Sequence, residues 1–444
     1  MTRPNIIFIV ADDLGYADLG CYGGREADFG PVSPVLDSLA KGGLRLTQGY
    51  ANSPVCSPTR FALATARYQY RLRGAAEEPI NSKTRGTPLG EKLGLPPEIP
   101  TVASLLKGAG YRTALIGKWH LGYPPHFGPL RSGYEEFFGP MSGGVDYFSH
   151  VSSSGQHDLW VGEEEHHDEG YLTDLLSRRS ADYVRRMADE SQGGAPFFLS
   201  LHYTAPHWPW ETRDDKQVSD DIGAGIADLS GGNIHQYRRM IHHMDEGIGW
   251  IVEALRETGQ LDNTLIVFTS DNGGERFSDN WPLVGGKMDL TEGGIRVPWI
   301  AHWPATIAPG RVSSQHCMTM DWSATVLAAA GVAAAEDYPL DGVSLLPVLQ
   351  AEGAEFERPL YWRMLYRGQR ALRQGDWKYL RVEDNDYLFN VATDERERAN
   401  QGGRQPERLA RMRADWEAWN ATMPAIADDA SYSLVYTAKN MPQR

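Results

Sequence analysis

Two pairs of residues carry the most distinctive chemistry in this chain. Asp12-Asp13 and Asp271-Asn272 together offer three carboxylates and one amide oxygen, hard donors suited to Ca²⁺ or Mg²⁺ and unsuited to a metal that prefers thiolate. Adjacent aspartates repel until a cation or a basic group neutralises them, and one such pair alone is more often a solvated loop or a helix cap. A second pair of the same donors, also placed directly after an apolar run, makes a shared cation the better reading.

Cys56 opens the run Cys56-Ser57-Pro58-Thr59-Arg60. Proline favours the first turn of a helix, so Cys56 sits just before a helix start, where free N–H groups and the dipole favour an anion. Phe61, Ala64, Tyr68 and Leu72 continue the expected helix at its periodicity. Taken alone, a cysteine there is a small buried hydrophobe. Lys118 and His120 follow one apolar run, His207 follows another between Pro206 and Pro209, and Lys287 lies in Gly285-Gly286-Lys287, where the backbone can approach a ligand closely. A lysine is ordinarily exposed and a single histidine ordinarily structural; their shared placement after apolar runs and in a glycine loop points to a site.

These residues need elements to hold them. Ile6 to Val10, Thr113 to Ile116, Phe197 to Leu201 and Leu265 to Phe268 are short, mostly β-branched or aromatic runs, as expected of parallel strands buried on both faces. Each ends at candidate residues, and in an open α/β sheet ligands bind beyond the carboxyl ends of the strands. Tyr171 to Met187 and His235 to Thr258 show helical periodicity among charges. The alternation predicts an α/β fold, a large mainly parallel sheet sandwiched by helices. From about Arg358 the texture changes to short aromatic runs, Tyr361-Trp362, Trp377 to Leu380 and Tyr387 to Phe389, with a turn at Gln374-Gly375-Asp376. That reads as a smaller antiparallel sheet. The expected division is residues 1–355 as the catalytic α/β domain and 356–444 as a C-terminal subdomain of small sheet and helix.

With 58 acidic against 43 basic residues, the chain has a formal charge of −15. That argues against nonspecific binding of nucleic acid or an anionic membrane, and it requires an anionic substrate to meet a local basic cluster. No stretch approaches the roughly 20 apolar residues of a membrane span. Cys21, Cys56 and Cys317 are too few for a disulfide framework and fit a reducing compartment. The first apolar run leads into Asp12-Asp13 without a small-residue cleavage site, so it reads as a strand and not a signal peptide. A cytoplasmic location is expected; a periplasmic one would require a leader ahead of this sequence. His166-His167 reads as a surface turn, and His242-His243 on a helix cannot both face one partner. Trp208, Trp210, Arg213, Asp146 and His150 lie near candidate residues and are assigned to shaping substrate preference.

Cys56-x-Pro58-x-Arg60 resembles the signature of the type I, formylglycine-dependent sulfatases of the alkaline phosphatase superfamily. The resemblance extends, in the family's order, through Asp12-Asp13 with Gly15-Tyr16, Gly117-Lys118-Trp119-His120, Pro206-His207, Asp271-Asn272-Gly273, Gly286-Lys287 with Glu292-Gly293-Gly294, and Gly375-Asp376-Trp377-Lys378-Tyr379, so it spans nearly the whole chain. It implies that a maturase oxidises Cys56 to formylglycine. It also implies that one Ca²⁺, with Mg²⁺ the second choice, is held by Asp12, Asp13, Asp271, Asn272 and the modified residue 56. By the same resemblance Arg60 steadies the formylglycine, Lys118 and Lys287 hold sulfate oxygens, His207 and Lys287 serve the leaving alcohol, and His120 takes the proton that releases sulfate from a covalent sulfo-enzyme. The implied substrate is a sulfate ester, of a carbohydrate in first place and an aryl alcohol in second. Phosphonate monoester or phosphodiester hydrolases share the modified cysteine and stand as the alternative. A catalytically silent glycan-binding homologue is a third reading, against which the filled catalytic positions argue.

Overall fold

The computed structural model of the chain describes residues 3–24, 30–72, 79–190, 194–223, 231–351, 355–426 and 430. The four expected apolar runs form β1 (Asn5–Ala11), β2 (Arg112–Gly117), β3 (Phe197–His202) and β4 (Thr264–Ser270). They lie side by side in the order β4-β1-β3-β2, all parallel, at the centre of a ten-stranded sheet. Its outer strands are mostly antiparallel, including Trp299–His302 beside β4.

Strand alternation explains the layers. Ile7, Ile9 and Ala11 of β1 face a core built with α2 (Leu172–Glu190) and α3 (Ile234–Glu257), through residues such as Leu176, Val184, Met244 and Ile248. Ile6, Phe8 and Val10 face a second core on the other side, with Phe61, Val102, Trp299 and Trp322. Full burial of one such side chain contributes roughly 1.5–3 kcal/mol, and truncating Phe8 to alanine would cost about 3–5 kcal/mol. The scaffold therefore stands on apolar packing, which leaves the charged residues at the strand ends free to do chemistry.

Register decides where those residues emerge. Ala11 pairs with Ser270 and Gly117 with His202, so Asp12, Asp271 and Lys118 each occupy the first position past a paired rung. The backbone continues the pattern: Asp271 donates to Ala11 O at 3.1 Å and Lys118 to His202 O at 2.8 Å. Gly117 is at φ 113°, and a Cβ there would stand 1.8 Å from His202 O, so only glycine lets Lys118 turn out of the strand here.

The helix after Cys56 is shorter than its apolar spacing predicts. α1 spans Cys56–Thr65, beginning at Cys56 itself, and ends where Ala66 turns left-handed at φ 54°. Asp341 and Gly342 donate to Ala66 O, and Asp341 Oδ2 accepts from Tyr68 N. These long-range contacts take over the backbone before Tyr68 and Leu72 can join the helix.

The C-terminal sheet is an antiparallel meander of β5 (Leu360–Met364), β6 (Gln369–Gln374), β7 (Trp377–Val382) and β8 (Asn385–Asn390). The aromatic runs mark β5, β7 and β8. β6 is silent in the sequence because Gln369-Arg370-Ala371-Leu372-Arg373-Gln374 has no aromatic residue and buries arginine and glutamine. The helix Pro406–Asn420 packs on this sheet, with Trp416 Nε1 donating to Trp362 O at 2.9 Å. Trp362 Nε1 in turn donates to Ala51 O at 2.9 Å, tying the sheet to the segment that leads into α1. Among the described residues no helix is long and apolar enough to cross a membrane.

Candidate active site

The carboxyl ends of the four central strands converge on one buried cluster. Oxygens of Asp12, Asp13 and Asp271 lie within 4.8 Å of one another, and ligand atoms of Asp12, Cys56 and His207 do the same. Asp13 reaches inward because its backbone is left-handed, φ 64°, a conformation aspartate tolerates better than most residues. Its Oδ1 accepts from Asn272 Nδ2 at 2.7 Å and its Oδ2 from Lys287 Nζ at 2.7 Å. Ser270 clamps the two acidic turns together, accepting from Leu14 N at 3.0 Å and donating to Asn272 O at 2.8 Å.

Cys56 stands at the first position of α1, buried, and Arg60 lies one turn later on the same face. Arg60 donates to Asp271 Oδ2 through Nε at 3.0 Å and Nη2 at 2.8 Å, and to Lys118 O through Nη1 at 3.1 Å. Lys118 Nζ lies 2.5 Å from Asp12 Oδ2. Burial pushes the Cys56 thiol up to about 12, against the charges of Lys118 and Lys287. Burial thus disfavours the thiolate form of residue 56.

The donor set fits a hard cation. Asp12 Oδ1 and Asn272 Oδ1 are buried with no hydrogen-bond partner, and oxygen atoms so placed carry a desolvation cost unless something binds them. The charges agree. Asp12, Asp13 and Asp271 supply three negative charges against the three positive ones of Arg60, Lys118 and Lys287, so a divalent cation added here leaves the pocket net positive. That is the sign an anionic substrate requires. For Asp13, burial pushes upward, and Lys287 and His207 outweigh it to hold the carboxyl well below the usual range. For Asp271, burial and the neighbouring Asp12 raise the carboxyl to about 6, against Arg60 and Lys118.

The two histidines are complementary. His120 Nε2 lies 2.8 Å from Ile80 O; a carbonyl only accepts, so Nε2 carries the proton and Nδ1, buried without a partner, holds the free lone pair. His207 Nδ1 lies 2.7 Å from Trp208 O, which assigns its proton to Nδ1 and leaves Nε2 facing Asp13 Oδ2 at 3.7 Å. Burial, joined by Lys118, holds His120 well below its ordinary value. Burial and Lys287 bring His207 down to about 3, against Asp13. Burial and the neighbouring lysine charges disfavour the protonated form of both rings. Gly143 closes over His120: a Cβ there would meet the ring at 2.4 Å.

Asp12, Asp13, Cys56, Arg60, Lys118, His207, Asp271, Asn272 and Lys287 thus come together, with His120 beside them. Of the residues assigned to substrate preference, Trp208 lies against His207, the rings tilted by 42° with centroids 4.4 Å apart. Asp146 and His150 are instead buried, Asp146 accepting from Phe148 N, Ser149 N and Ser219 Oγ. Trp210 packs on Phe277, and Arg213 pairs with Asp174 and Glu246. Three contributors escape a reading of the sequence: Ser270, the Ile80 carbonyl, and Glu275, whose Oε2 lies 4.0 Å from Lys287 Nζ. Only Glu275 leaves a trace, as the acid closing Asp271-Asn272-Gly273-Gly274-Glu275; a backbone carbonyl leaves none.

Comparison with known proteins identifies the family of the chain. The family model described as Sulfatase matches residues 4–332, and one described as N-sulphoglucosamine sulphohydrolase, C-terminal, matches residues 286–399. Human (Homo sapiens) N-acetylgalactosamine-6-sulfatase is 33% identical over 385 residues, 82% of this chain and 68% of its own. Human arylsulfatase A is 34% identical over 414 residues, covering 84% and 74% of the two chains. The crystal structure of Ps i-CgsB in complex with k-i-k-neocarrahexaose superposes with a TM-score of 0.83 at 32% identity, over 95% of this chain and 94% of that one. The chain belongs to the sulfatase family, the type I sulfatases of the alkaline phosphatase superfamily, and is a sulfuric ester hydrolase.

Proposed function

We propose that this sulfatase removes sulfate from a carbohydrate, using formylglycine made from Cys56 and one Ca²⁺ held by Asp12, Asp13, Asp271 and Asn272 beside residue 56. The observation that carries the reading is the convergence at Cys56: a buried residue at a helix N-terminus, with Arg60 one turn away and the acidic cluster within reach. The carbohydrate class is supported by the N-acetylgalactosamine-6-sulfatases and the neocarrahexaose complex among its relatives.

The cation, when bound, supplies Lewis acidity toward a sulfate oxygen, a contribution of several kcal/mol in general. Residue 56, as formylglycine, supplies a geminal diol, one hydroxyl to attack sulfur and a second whose deprotonation expels sulfate. The chain does the rest. Asp12, Asp13, Asp271 and Asn272 would hold the cation, and Lys118 and Lys287, each paired with one of those aspartates, would offer their remaining N–H donors to the sulfate oxygens, where fixed charge stabilises the transition state. Arg60, anchored on Asp271, holds residue 56 and its developing charge. His207 takes up a proton once the anionic ester enters and delivers it from Nε2 to the leaving alcohol. His120 accepts the proton of the second hydroxyl at Nδ1. General acid and base steps of this kind are each typically worth about 10² to 10⁴ in rate.

The test is a screen of matured enzyme against defined sulfated mono- and oligosaccharides, with aryl sulfate, aryl phosphonate and aryl phosphodiester run in parallel. Desulfation of at least one saccharide, at a kcat/KM above that for the aryl sulfate, is the expected result. Turnover of aryl sulfate with every saccharide refused would overturn the carbohydrate assignment, and faster turnover of phosphonate or diester would overturn the sulfate preference.

A further inference from the structure

Among the motifs that run through the chain, Gly375-Asp376-Trp377-Lys378-Tyr379 has no part in the chemistry above, yet its lysine is fully buried. Lys378 projects from β7 and ends between two carboxylates, 3.0 Å from Glu292 Oε1 and 2.9 Å from Glu397 Oε1. Glu292 opens the short helical turn Glu292–Ile295. Its Oε2 accepts from Tyr50 OH at 2.8 Å, and its own N–H donates to Glu397 Oε2 at 2.7 Å. A lysine buried this completely is rare unless paired, and here it is paired twice.

The turn that this cluster grips lies against the active-site loops, backbone to backbone. Gly273 N donates to Gly294 O at 2.9 Å, Gly293 N to Val284 O at 2.8 Å, and Lys287 N to Gly274 O at 3.1 Å. A Cβ on Gly273 would stand 1.9 Å from Gly293 O, and one on Gly294 would stand 2.4 Å from Gly286 O. The three glycine turns at 273–274, 284–286 and 293–294 are therefore in contact with no side chain between them, and a shift of one moves the others. Asn272 is fixed to the first of these turns and Lys287 to the second.

We propose that Lys378 is a positioning residue for the active site: by bridging Glu292, which also faces Arg296 at 3.8 Å, to Glu397 it holds the Gly293-Gly294 turn against Gly273, and through that contact sets where Asn272 and Lys287 stand. The C-terminal sheet is then part of the catalytic apparatus by way of a buried charge, with no atom at the substrate. The proposal rests on the reading of Asn272 as a cation ligand.

The test compares the wild-type chain with Lys378→Met and Lys378→Arg in three measurements: calcium affinity by calorimetry, kcat and KM of the matured enzyme on an aryl sulfate, and amide exchange of peptides spanning 272–295. Thermal melting reports whether each variant is folded, since breaking a buried ion pair is strongly destabilising in general. A folded Lys378→Met protein is expected to bind calcium about 10- to 100-fold more weakly, the range typical of residues that orient a ligand from behind. Its kcat should fall while KM changes less, its 272–295 amides should exchange faster than those of β1, and Lys378→Arg should recover part of each loss. Wild-type calcium affinity, kcat and exchange in a folded Lys378→Met protein would overturn the proposal. Should that variant fail to fold, Glu397→Ala is read on the same scales, with the same losses expected and the same lack of effect contradicting. A wild-type chain that binds no calcium would instead refute the cation reading, and the exchange of residues 272–295 would then decide the positioning role alone.

Discussion

Asp12 Oδ2 lies 2.5 Å from Lys118 Nζ, while the other oxygen of the same carboxylate is buried without a hydrogen-bond partner. One carboxylate thus serves a fixed cation on one side and offers an open donor on the other. Chelation of divalent ions is expected to abolish turnover and lower the melting midpoint, and added Ca²⁺ to restore both. At a calcium concentration about 100-fold above Kd the stabilisation should be about 2.7 kcal/mol. In Asp12→Ala the midpoint should no longer respond to Ca²⁺; an unchanged response would remove Asp12 from the ligand set.

Lys287 closes the opposite side of the cluster through Asp13. Lys287→Ala is expected to lower kcat by about 10² to 10³, the usual loss for one preorganised transition-state donor, and to lower the melting midpoint as well, because Asp13 loses its buried ion-pair partner. Steady-state kinetics and a thermal scan check this together. Near-normal turnover in the folded variant would exclude Lys287 from the mechanism.

His207 presents Nε2 to the site, so its contribution should scale with the need of the leaving group for a proton. His207→Ala should cost far more on an alkyl or sugar sulfate than on nitrophenyl sulfate, whose alcohol leaves readily as an anion. Equal losses on both substrates would assign His207 to binding or to loop structure.

Glu211 predicts a pH-dependent stability. Its carboxyl is buried, Oε2 accepts from Tyr147 N at 3.1 Å, and burial, reinforced by the charge of Asp146, raises it to about 9. The folded chain therefore keeps a proton that the unfolded chain loses above about 4.5. The associated stability is fully present at acidic pH and is lost as pH rises toward 9. Glu211→Gln, which mimics the protonated acid, should gain in melting midpoint relative to wild type as pH rises from about 5 to about 9. A difference between the two that does not vary with pH would contradict the raised carboxyl of Glu211 beside Asp146.

Much of this site is legible in the sequence because parallel strands announce themselves as apolar runs, and the residues just past each run stand where ligands bind. Asp12, Lys118, His207 and Asp271 are found that way. Trp208 lies against His207, whereas Asp146 and His150 are buried beneath a segment that packs on His120 and His207 through Gly143, Gly144 and Tyr147. The end of α1 is unreadable because Asp341, far away in the chain, captures Tyr68. β6 is unreadable because Arg373 is buried by partners such as Tyr50 and His316, a tertiary effect that no local pattern carries. The double role of Glu292, adjacent in sequence to the glycine turn and in space to Lys378, likewise needs the three-dimensional contact.

The nucleophile is tested most directly by mass spectrometry of the peptide containing residue 56, taken from preparations of measured specific activity. Because burial disfavours the Cys56 thiolate, turnover should rise in proportion to the fraction of residue 56 present as an aldehyde or its hydrate, and Cys56→Ala should be folded and inactive. Full turnover from a preparation in which residue 56 is entirely thiol would contradict formylglycine catalysis and leave a metal-activated water as the nucleophile.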